Sequence, residues 1–190
     1  MYSDYIEYLK ENLSEHRFIH SLNVADKCLY LGKKYDYDEN IAYFCGLIHD
    51  VCKNESRENM LQMFDKFGII LDNVQARVDL LWHSIAGALL VKEKFKVDDE
   101  EVLNAIKFHT TGRANMTKLE KIVFLADIIS ADREFEGVEK LREISEKDLD
   151  LAVFYALKST INNLVRKNSL IHIDTINAYN DLAMKIFERK

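Results

Sequence analysis

The absence of proline from all 190 residues is the sequence feature that most constrains the fold. Proline breaks helices and glycine weakens them, and the chain has only 6 glycines. Hydrophobic residues make up 48% of the sequence, which is enough to bury a core in one domain of ordinary size. This composition favours long helices joined by short turns.

Hydrophobic spacing and helix-capping residues predict an all-α chain of roughly eight to ten helices. Apolar residues recur every three or four positions, as in Ile41, Phe44, Cys45 and Ile48, which would share one helix face. The residues predicted to open successive helices are Ser14, Asp38, Ser56, Asp98, Thr117, Ser145 and Asp174. Two helical segments are also predicted between residues 72 and 95, and the last helix is predicted to reach residue 188.

No internal repeat, low-complexity tract or linker divides the sequence, so we predict one domain over residues 1–190. The candidate functional residues fall within about 14–135. Residues 136–190 are predicted to form a helical C-terminal part, whose apolar faces offer a surface for a homodimer.

Charge and cysteine usage exclude several classes of protein. The net charge of −6 argues against general nucleic-acid binding, although it leaves room for a local basic pocket that holds phosphates. No apolar run approaches the roughly 18 residues of a membrane span, and the N-terminus lacks the order of a signal peptide. Cys28, Cys45 and Cys52 are odd in number and have no Cys-x-x-Cys spacing. We therefore expect a cytoplasmic protein that binds neither nucleic acid nor membrane.

Four polar residues in or beside apolar helical segments are candidate metal ligands. His49 and Asp50 end one such segment, while His20 and Asp127 lie within two others. A buried charge without a partner is costly, and one cation would partner all four groups. His16, one turn before His20, is the alternative histidine on that helix, but it lies nearer the polar start. Imidazole and carboxylate together suit Zn, Fe, Mn or Ni better than Ca or Mg.

His83 and His109 add two imidazoles, each next to a predicted helix end. An isolated histidine is more often a core or surface residue than a ligand. The whole set, however, supplies four histidines and two aspartates, which is enough for two metals bridged by a carboxylate with positions open for water.

These residues form a pattern that resembles the HD-domain metal-dependent phosphohydrolases, and most closely the symmetrical bis(5'-nucleosyl)-tetraphosphatases of the YqeK family. The segments that carry the resemblance are 17–21, 46–53, 82–84, 105–112 and 125–129, together with Arg133. The His-Asp pair alone is weak evidence. The His-Asp-x-x-Lys form, the His-Thr-x-Gly segment and the Ala-Asp pair with an arginine six residues after the aspartate are specific. The last fifty or so residues match only in helical character.

The resemblance implies a single all-α HD domain that hydrolyses diadenosine tetraphosphate to two ADP by attack of a metal-activated water. It also implies a divalent metal cofactor, with a di-iron site expected first and Mn, Co or Zn as alternatives. The implied metal ligands are His20, His49, Asp50, His83, His109 and Asp127. The implied catalytic residues are Lys53 and Asp50. The implied substrate-binding residues are Arg17, His20, Lys53, His83, His109, Thr110, Thr111, Gly112, Asp127 and Arg133.

The chemistry of a nucleotide polyphosphate agrees with this set. Its hydrolysis needs a nucleophile at neutral pH and positive charge near the phosphate oxygens. Lys53, Arg17 and Arg133 would supply ammonium and guanidinium groups for those oxygens. Each also has an ordinary alternative, as a solvated lysine or a surface ion pair, and the loop after His109 has one as a helix-ending turn.

Two rival functions stay open from the sequence. One is an HD-type phosphohydrolase acting on mononucleotides. The other is a non-catalytic HD module that binds a nucleotide as a sensor or docks a partner. The intact ligand set with its lysine favours an enzyme, because binding alone does not need open metal positions.

Overall fold

A computed structural model describes residues 2–187, which form ten α-helices and no β-strand. The helices are α1 Ser3–Asn12, α2 Glu15–Lys34, α3 Glu39–Ile48, α4 Arg57–Lys66, α5 Trp82–Phe95, α6 Glu100–Lys107, α7 Lys118–Ile129, α8 Val138–Ser145, α9 Leu149–Arg166 and α10 Ile173–Phe187. The predicted all-α fold is confirmed. Within residues 2–187 no helix is both long enough and apolar enough to cross a membrane.

The helices α2, α3 and α7 form the centre of the molecule. α2 packs along α3 and also against α7, which in turn contacts α6 and α9. Gly46 sets the α2–α3 distance, because a Cβ there would lie 2.7 Å from Cys28 Sγ and 2.9 Å from Ala25 Cα. His49 follows Gly46 by one turn, so this close crossing brings the end of α3 against the middle of α2.

Several helices begin where the capping residues predict. The Asp38 carboxylate accepts hydrogen bonds from the backbone N–H groups at the start of α3, and Ser56 accepts one from Asn59 in α4. Thr117 and Glu120 form the predicted capping box of α7. Ser14 stands at the N-cap of α2, although its side chain makes no capping hydrogen bond there.

The predicted start of α6 at Asp98 is wrong by one residue. Asp99 is the N-cap, and its carboxylate accepts hydrogen bonds from the N–H groups of Glu101 and Val102. Adjacent aspartates offer the same capping group, so local chemistry alone did not distinguish them.

The prediction that Ser145 opens a long helix is also wrong. Ser145 is the last residue of α8, where its hydroxyl donates to the Arg142 carbonyl at 2.7 Å. Asp148 caps α9 instead and accepts a hydrogen bond from the Leu151 N–H. Serine and aspartate both favour caps, and here the serine hydroxyl is bonded within the preceding helix.

Two further predictions differ from the structure in position. The chain between Asp72 and α5 forms two short 3-10 turns, Gln75–Arg77 and Asp79–Leu81, in place of an α-helix. The last helix begins at Ile173, so Asp174 lies in its first turn. The predicted end at residue 188 lies outside the described residues.

Arg142 on α8 fixes the turn that follows α7. Its guanidinium donates to the carbonyls of Ile129, Ser130 and Arg133, at 3.1, 2.6 and 3.0 Å. These bonds give hydrogen-bond partners to carbonyls at the end of α7 and in the turn that follows it. The C-terminal helices therefore hold the segment that presents Asp132 to the centre of the molecule.

Candidate metal centre

The structure brings the six predicted ligands together from five helices or helix ends. His20 comes from α2, His83 from the first turn of α5 and Asp127 from the last turns of α7, while the others follow the ends of α3 and α6. All six are buried except Asp127, whose side chain is 17% exposed. Three overlapping groups have ligand atoms within 4.8 Å of one another: His20, His49 and Asp50; His49, His109 and Asp127; and Asp50, His83 and His109.

The tightest group contains one oxygen of Asp50 and two imidazoles. Asp50 Oδ1 lies 3.1 Å from His83 Nε2 and 3.4 Å from His109 Nε2, and the two nitrogens are 3.1 Å apart. Ligand atoms about 2.1 Å from one ion stand roughly 3 Å apart when their bonds are perpendicular. The three atoms therefore have the spacing that a single divalent cation requires.

A second set of ligand atoms comes from His20, His49 and Asp127, and it includes the histidine that faces the other Asp50 oxygen. His20 Nε2 is 2.9 Å from Asp127 Oδ1, and His49 Nε2 is 4.0 Å from the same oxygen. His49 Nε2 is also 3.7 Å from Asp50 Oδ2. One oxygen of Asp50 thus faces His83 and His109, while the other faces His49. A carboxylate placed in this way is suited to bridge two cations.

Backbone carbonyls orient two of the histidines. His49 Nδ1 donates to the Gly46 carbonyl at 2.7 Å, and His109 Nδ1 donates to the Ile106 carbonyl at 2.7 Å. Carbonyls in the last turn of a helix have no intrahelical partner, so they are free to fix a ring and its tautomer. In both histidines the Nε2 lone pair is left directed at the cluster.

Two buried atoms in the cluster have no hydrogen-bond partner among residues 2–187. They are His49 Nε2 and Asp50 Oδ1, and the latter has an ion-pair contact with the Lys53 ammonium at 3.3 Å. Buried polar atoms almost always find a partner, so these two need an explanation. A divalent cation supplies it, because both atoms are donors of the type that such ions bind.

Burial and neighbouring charges give the cluster the protonation states of a ligand set. Burial lowers the pKa of His49 and of His83 to about 4, so both are neutral near pH 7. Burial alone would raise the pKa of Asp50 and of Asp127, but the surrounding histidines lower both below the usual range. Burial lowers the pKa of His20, yet its hydrogen bond to Asp127 raises it overall.

Asp132 is a contributor to the site that the sequence analysis missed. Its Oδ2 lies 2.7 Å from His20 Nδ1, and Asn23 Nδ2 donates to its Oδ1 at 3.1 Å. A carboxylate on the far nitrogen of a ligand histidine fixes the ring and makes it a stronger donor. The sequence marks Asp132 only as an aspartate five residues after Asp127, in a turn beyond the apolar segment that contains Asp127.

Basic side chains surround the open side of the cluster. Lys53 Nζ lies 3.3 Å from Asp50 Oδ1 and 2.9 Å from His83 Nε2, and an Arg17 nitrogen lies 3.6 Å from Asp50 Oδ2. Lys53, Arg17 and His83 line a cleft of about 380 Å³ that opens to solvent. Arg133 hydrogen-bonds to both the side chain and the backbone carbonyl of Asp127.

Comparison with known proteins places this geometry in a family. The family model described as the HD domain matches residues 17–132. The chain belongs to the HD-domain family. A relative from Halalkalibacterium halodurans is 38% identical over 95% of this chain and 96% of its own length, and one from Bacillus subtilis is 35% identical over 90% and 92%. Both are named "Bis(5'-nucleosyl)-tetraphosphatase, symmetrical".

A solved HD-domain structure has the same fold over nearly the whole chain. It is described as a predicted HD superfamily hydrolase involved in NAD metabolism, from Clostridium acetobutylicum. The TM-score is 0.94 at 39% sequence identity, covering 97% of this chain and 98% of that one. The family predicted from the motifs is confirmed, and with it a site for divalent metal.

Thr110, Thr111 and Gly112, which are predicted to bind substrate, form the loop after His109, and their contacts differ from those of the predicted metal ligands. Thr110 lines a small cavity beside Ser84, while the Thr111 hydroxyl donates to the Gly112 carbonyl at 2.9 Å. Gly112 has a φ of +64°, and a Cβ there would lie 3.2 Å from Ala178 Cβ on α10. Gly112 therefore packs this loop against α10, and the contact of Thr110, Thr111 and Gly112 with substrate stays a prediction.

Proposed function

We propose that this HD-domain hydrolase cleaves diadenosine tetraphosphate symmetrically to two ADP, at a centre of two divalent cations bridged by Asp50. The observation that carries the proposal is the placement of the two Asp50 oxygens, each facing a different group of histidines. The substrate follows from the shared name of relatives that match this chain over nine-tenths of its length or more. The rival functions do not explain both features together.

The reaction needs only water besides the substrate. A water oxygen adds to one of the two central phosphorus atoms, the bridging P–O bond breaks, and the departing ADP oxygen leaves with the electron pair. The protons of the water pass to solvent or to the phosphate oxygens of the two ADP products. The cations, when bound, lower the pKa of water and offset the negative charge on the phosphate oxygens. We propose iron as the metal on the family resemblance, although His and Asp ligands also suit Mn, Co and Zn.

The position of each residue indicates whether it would bind a cation or a phosphate. His20, His49 and Asp127 would hold one cation, His83 and His109 would hold the other, and each oxygen of Asp50 would be available to one of them. Lys53 directs its ammonium to the side of Asp50 and His83 that faces the cleft.

Lys53 would donate to the phosphate oxygen on which charge grows as the bond breaks, where a fixed positive charge accelerates the reaction. Arg133, beside Asp127, would hold a phosphate on the other side of the centre. We expect an Arg133→Ala variant to raise KM more than it lowers kcat.

We also propose that the chain forms a homodimer through its C-terminal helices. Ile173 is 59% exposed, and Met184 and Phe187 are each 51% exposed, all on α10. Large apolar side chains grouped on one surface mark contact sites more often than isolated ones do. A cytoplasmic location is consistent with the three cysteines, which are buried free thiols.

Product analysis on a nucleotide panel tests the proposed activity. Freshly metallated protein is incubated with dinucleoside polyphosphates and with mononucleotides, and the products are separated by chromatography. We expect diadenosine tetraphosphate to give ADP alone. A mixture of ATP and AMP would contradict symmetrical cleavage, and phosphate released from a mononucleotide would support the first rival. Bound nucleotide without turnover would support the non-catalytic module.

A further inference from the structure

Besides Arg17 and Lys53, the cleft beside the metal centre contains a third basic residue, which the sequence motifs did not indicate. Arg57, the first residue of α4, lines the cleft together with Arg17 and Lys53. The remaining lining residues are Ser14, Asn54, Met60, Asp79, Leu80 and His83. His83 is a predicted metal ligand, so the cleft is continuous with the centre.

Arg57 is held in place by two neighbours. Its Nη1 donates to Asp79 Oδ2 at 2.9 Å, and its guanidinium lies over the Trp82 ring, 5.1 Å from the ring centre. Both contacts restrain a side chain that is still 62% exposed. Guanidinium carries five N–H donors, so the Asp79 bond leaves others free to meet a ligand in the cleft.

The charge of the cleft selects an anion. Three basic residues, Arg17, Lys53 and Arg57, face one acidic residue, Asp79, in a chain whose net charge is −6. A local excess of positive charge on an acidic protein concentrates negatively charged ligands. Lys53 and Arg17 also contact Asp50, whereas Arg57 pairs with Asp79 outside the ligand set.

The cleft therefore has an inner basic part at the metals and an outer basic part at Arg57. Met60 and Leu80 line the same cleft, and Leu80 is 75% exposed. An apolar surface beside a basic one matches a nucleotide, which joins a flat base to charged phosphates. The cleft volume of about 380 Å³ is within the range of small-ligand sites.

We propose that Arg57 binds the outer phosphate of the departing nucleotide and so makes the enzyme favour a bridge of four phosphates over one of three. This inference rests on the proposed function. With Lys53 at the phosphate nearest the metals, a departing ADP places its second phosphate farther along the cleft, at Arg57. In the triphosphate, attack of water at the central phosphorus breaks the bond to an outer phosphate and expels AMP, which has no second phosphate and so gains nothing from this guanidinium.

The test compares Arg57→Gln with a matched control, Arg77→Gln. Arg77 is an exposed arginine near the same segment that donates to the Asn73 carbonyl and does not line the cleft. Both variants lose one positive charge, and thermal melting with metal analysis checks that fold and metals are kept. The measured quantities are kcat/KM for diadenosine tetraphosphate and for diadenosine triphosphate.

We expect Arg57→Gln to lower kcat/KM for the tetraphosphate by about 10–100-fold, the range for losing a hydrogen bond to a charged group. For the triphosphate, kcat/KM should stay within about 3-fold of wild type, because the departing AMP has no second phosphate for Arg57 to contact. Arg77→Gln should change neither. An equal loss on both substrates would overturn the inference, because it would show that Arg57 only supports α4 or the general charge of the cleft. No loss on either would overturn it as well.

Calorimetric binding of ADP and AMP to the metallated protein separates this inference from the proposed function. Arg57→Gln should weaken ADP binding and leave AMP binding unchanged, whether or not the tetraphosphate is cleaved. If wild-type protein does not cleave the tetraphosphate but the ADP effect appears, the proposed function fails and Arg57 keeps its role as a phosphate contact. If ADP binds equally to both proteins, the role of Arg57 is contradicted.

Discussion

At the residue scale, the predicted ligands were identifiable because their chemistry conflicts with their surroundings. His20, His49 and Asp127 lie in apolar helical segments, where an unpaired polar group is costly. Asp132 escaped prediction because nothing in its local sequence marks it, and its contact with His20 depends on the turn after α7. Sequence therefore identifies the residues that need a partner more readily than the residues that support them.

The role of Lys53 is a prediction at this same scale. Its ammonium lies beside Asp50 and His83 and faces the cleft. We expect Lys53→Ala to keep its metals and its melting temperature but to lose about 10²–10³-fold in kcat, as when a donor to a developing charge is removed. Steady-state kinetics with parallel metal analysis measures this.

Lys66→Ala is the matched control for Lys53, because Lys66 forms a surface pair with Glu93 at 3.6 Å, lies over the Phe67 ring and does not line the cleft. Normal kcat and KM in the Lys53 variant would mean that this ammonium takes no part in the reaction.

At the element scale, the start of a helix is predicted correctly where one capping residue is present and incorrectly where two capping residues lie close together in sequence. Asp38 and Thr117 open α3 and α7 as predicted. Asp99 and Asp148 cap α6 and α9 in place of the predicted Asp98 and Ser145, which are residue types that cap equally well. The separate helix α8 went unrecognised for this reason, since its last residue is a serine that was expected to start α9.

The close approach of α2 and α3 gives an element-scale prediction. Gly46→Ala would place a methyl group 2.9 Å from Ala25 Cα, which is backbone and cannot rotate away. We expect a loss of about 1–3 kcal/mol in the free energy of unfolding, the usual cost of overpacking. Metal affinity should fall too, because the displaced helix carries His49.

Urea unfolding and metal titration measure both effects of the Gly46 variant. Gly68→Ala is the control for losing a glycine without overpacking. Gly68 has a φ of +65°, but no atom lies within 4 Å of an added Cβ. Any loss there reflects backbone strain alone, with metal affinity unchanged. A Gly46→Ala protein with full stability would contradict the packing argument.

At the scale of the whole molecule, the two ligand groups are related only through tertiary structure. The sequence supplied enough donors for two cations, but the position of Asp50 between the groups depends on how α2, α3, α5, α6 and α7 pack together. The cleft and its outer arginine could not be foreseen for the same reason, because Arg57 and Asp79 are far apart in sequence. Long-range packing thus determines which polar groups act together.

Stability against acid is a whole-molecule property that the buried histidines should control. In metal-free protein, burial holds the pKa of His49 and His83 at about 4, below the 6.5 of an unfolded histidine. Between these values the unfolded state binds more protons, so stability falls as pH falls. The raised pKa of His20 acts in another window, since its contribution is complete below pH 6.5 and is lost as pH rises through the raised value.

We expect the free energy of unfolding of metal-free protein to fall by about 2–4 kcal/mol from pH 6.5 to pH 5 through these two groups. Urea unfolding at each pH measures it. His49→Gln should reduce the slope, while His16→Gln, which alters an exposed histidine, should leave it unchanged. A stability that stays constant or rises over this interval would contradict the assigned protonation states.

The number of metal ions per chain tests the central claim most directly. Wild-type protein and the double variant His83→Ala with His109→Ala are loaded with iron under anaerobic conditions, and the bound metal is measured after removal of excess. We predict two ions per chain in the wild type and one in the double variant, because His20, His49, Asp50 and Asp127 would still hold a cation. A wild-type ratio near one, unchanged in the double variant, would contradict a two-metal centre bridged by Asp50.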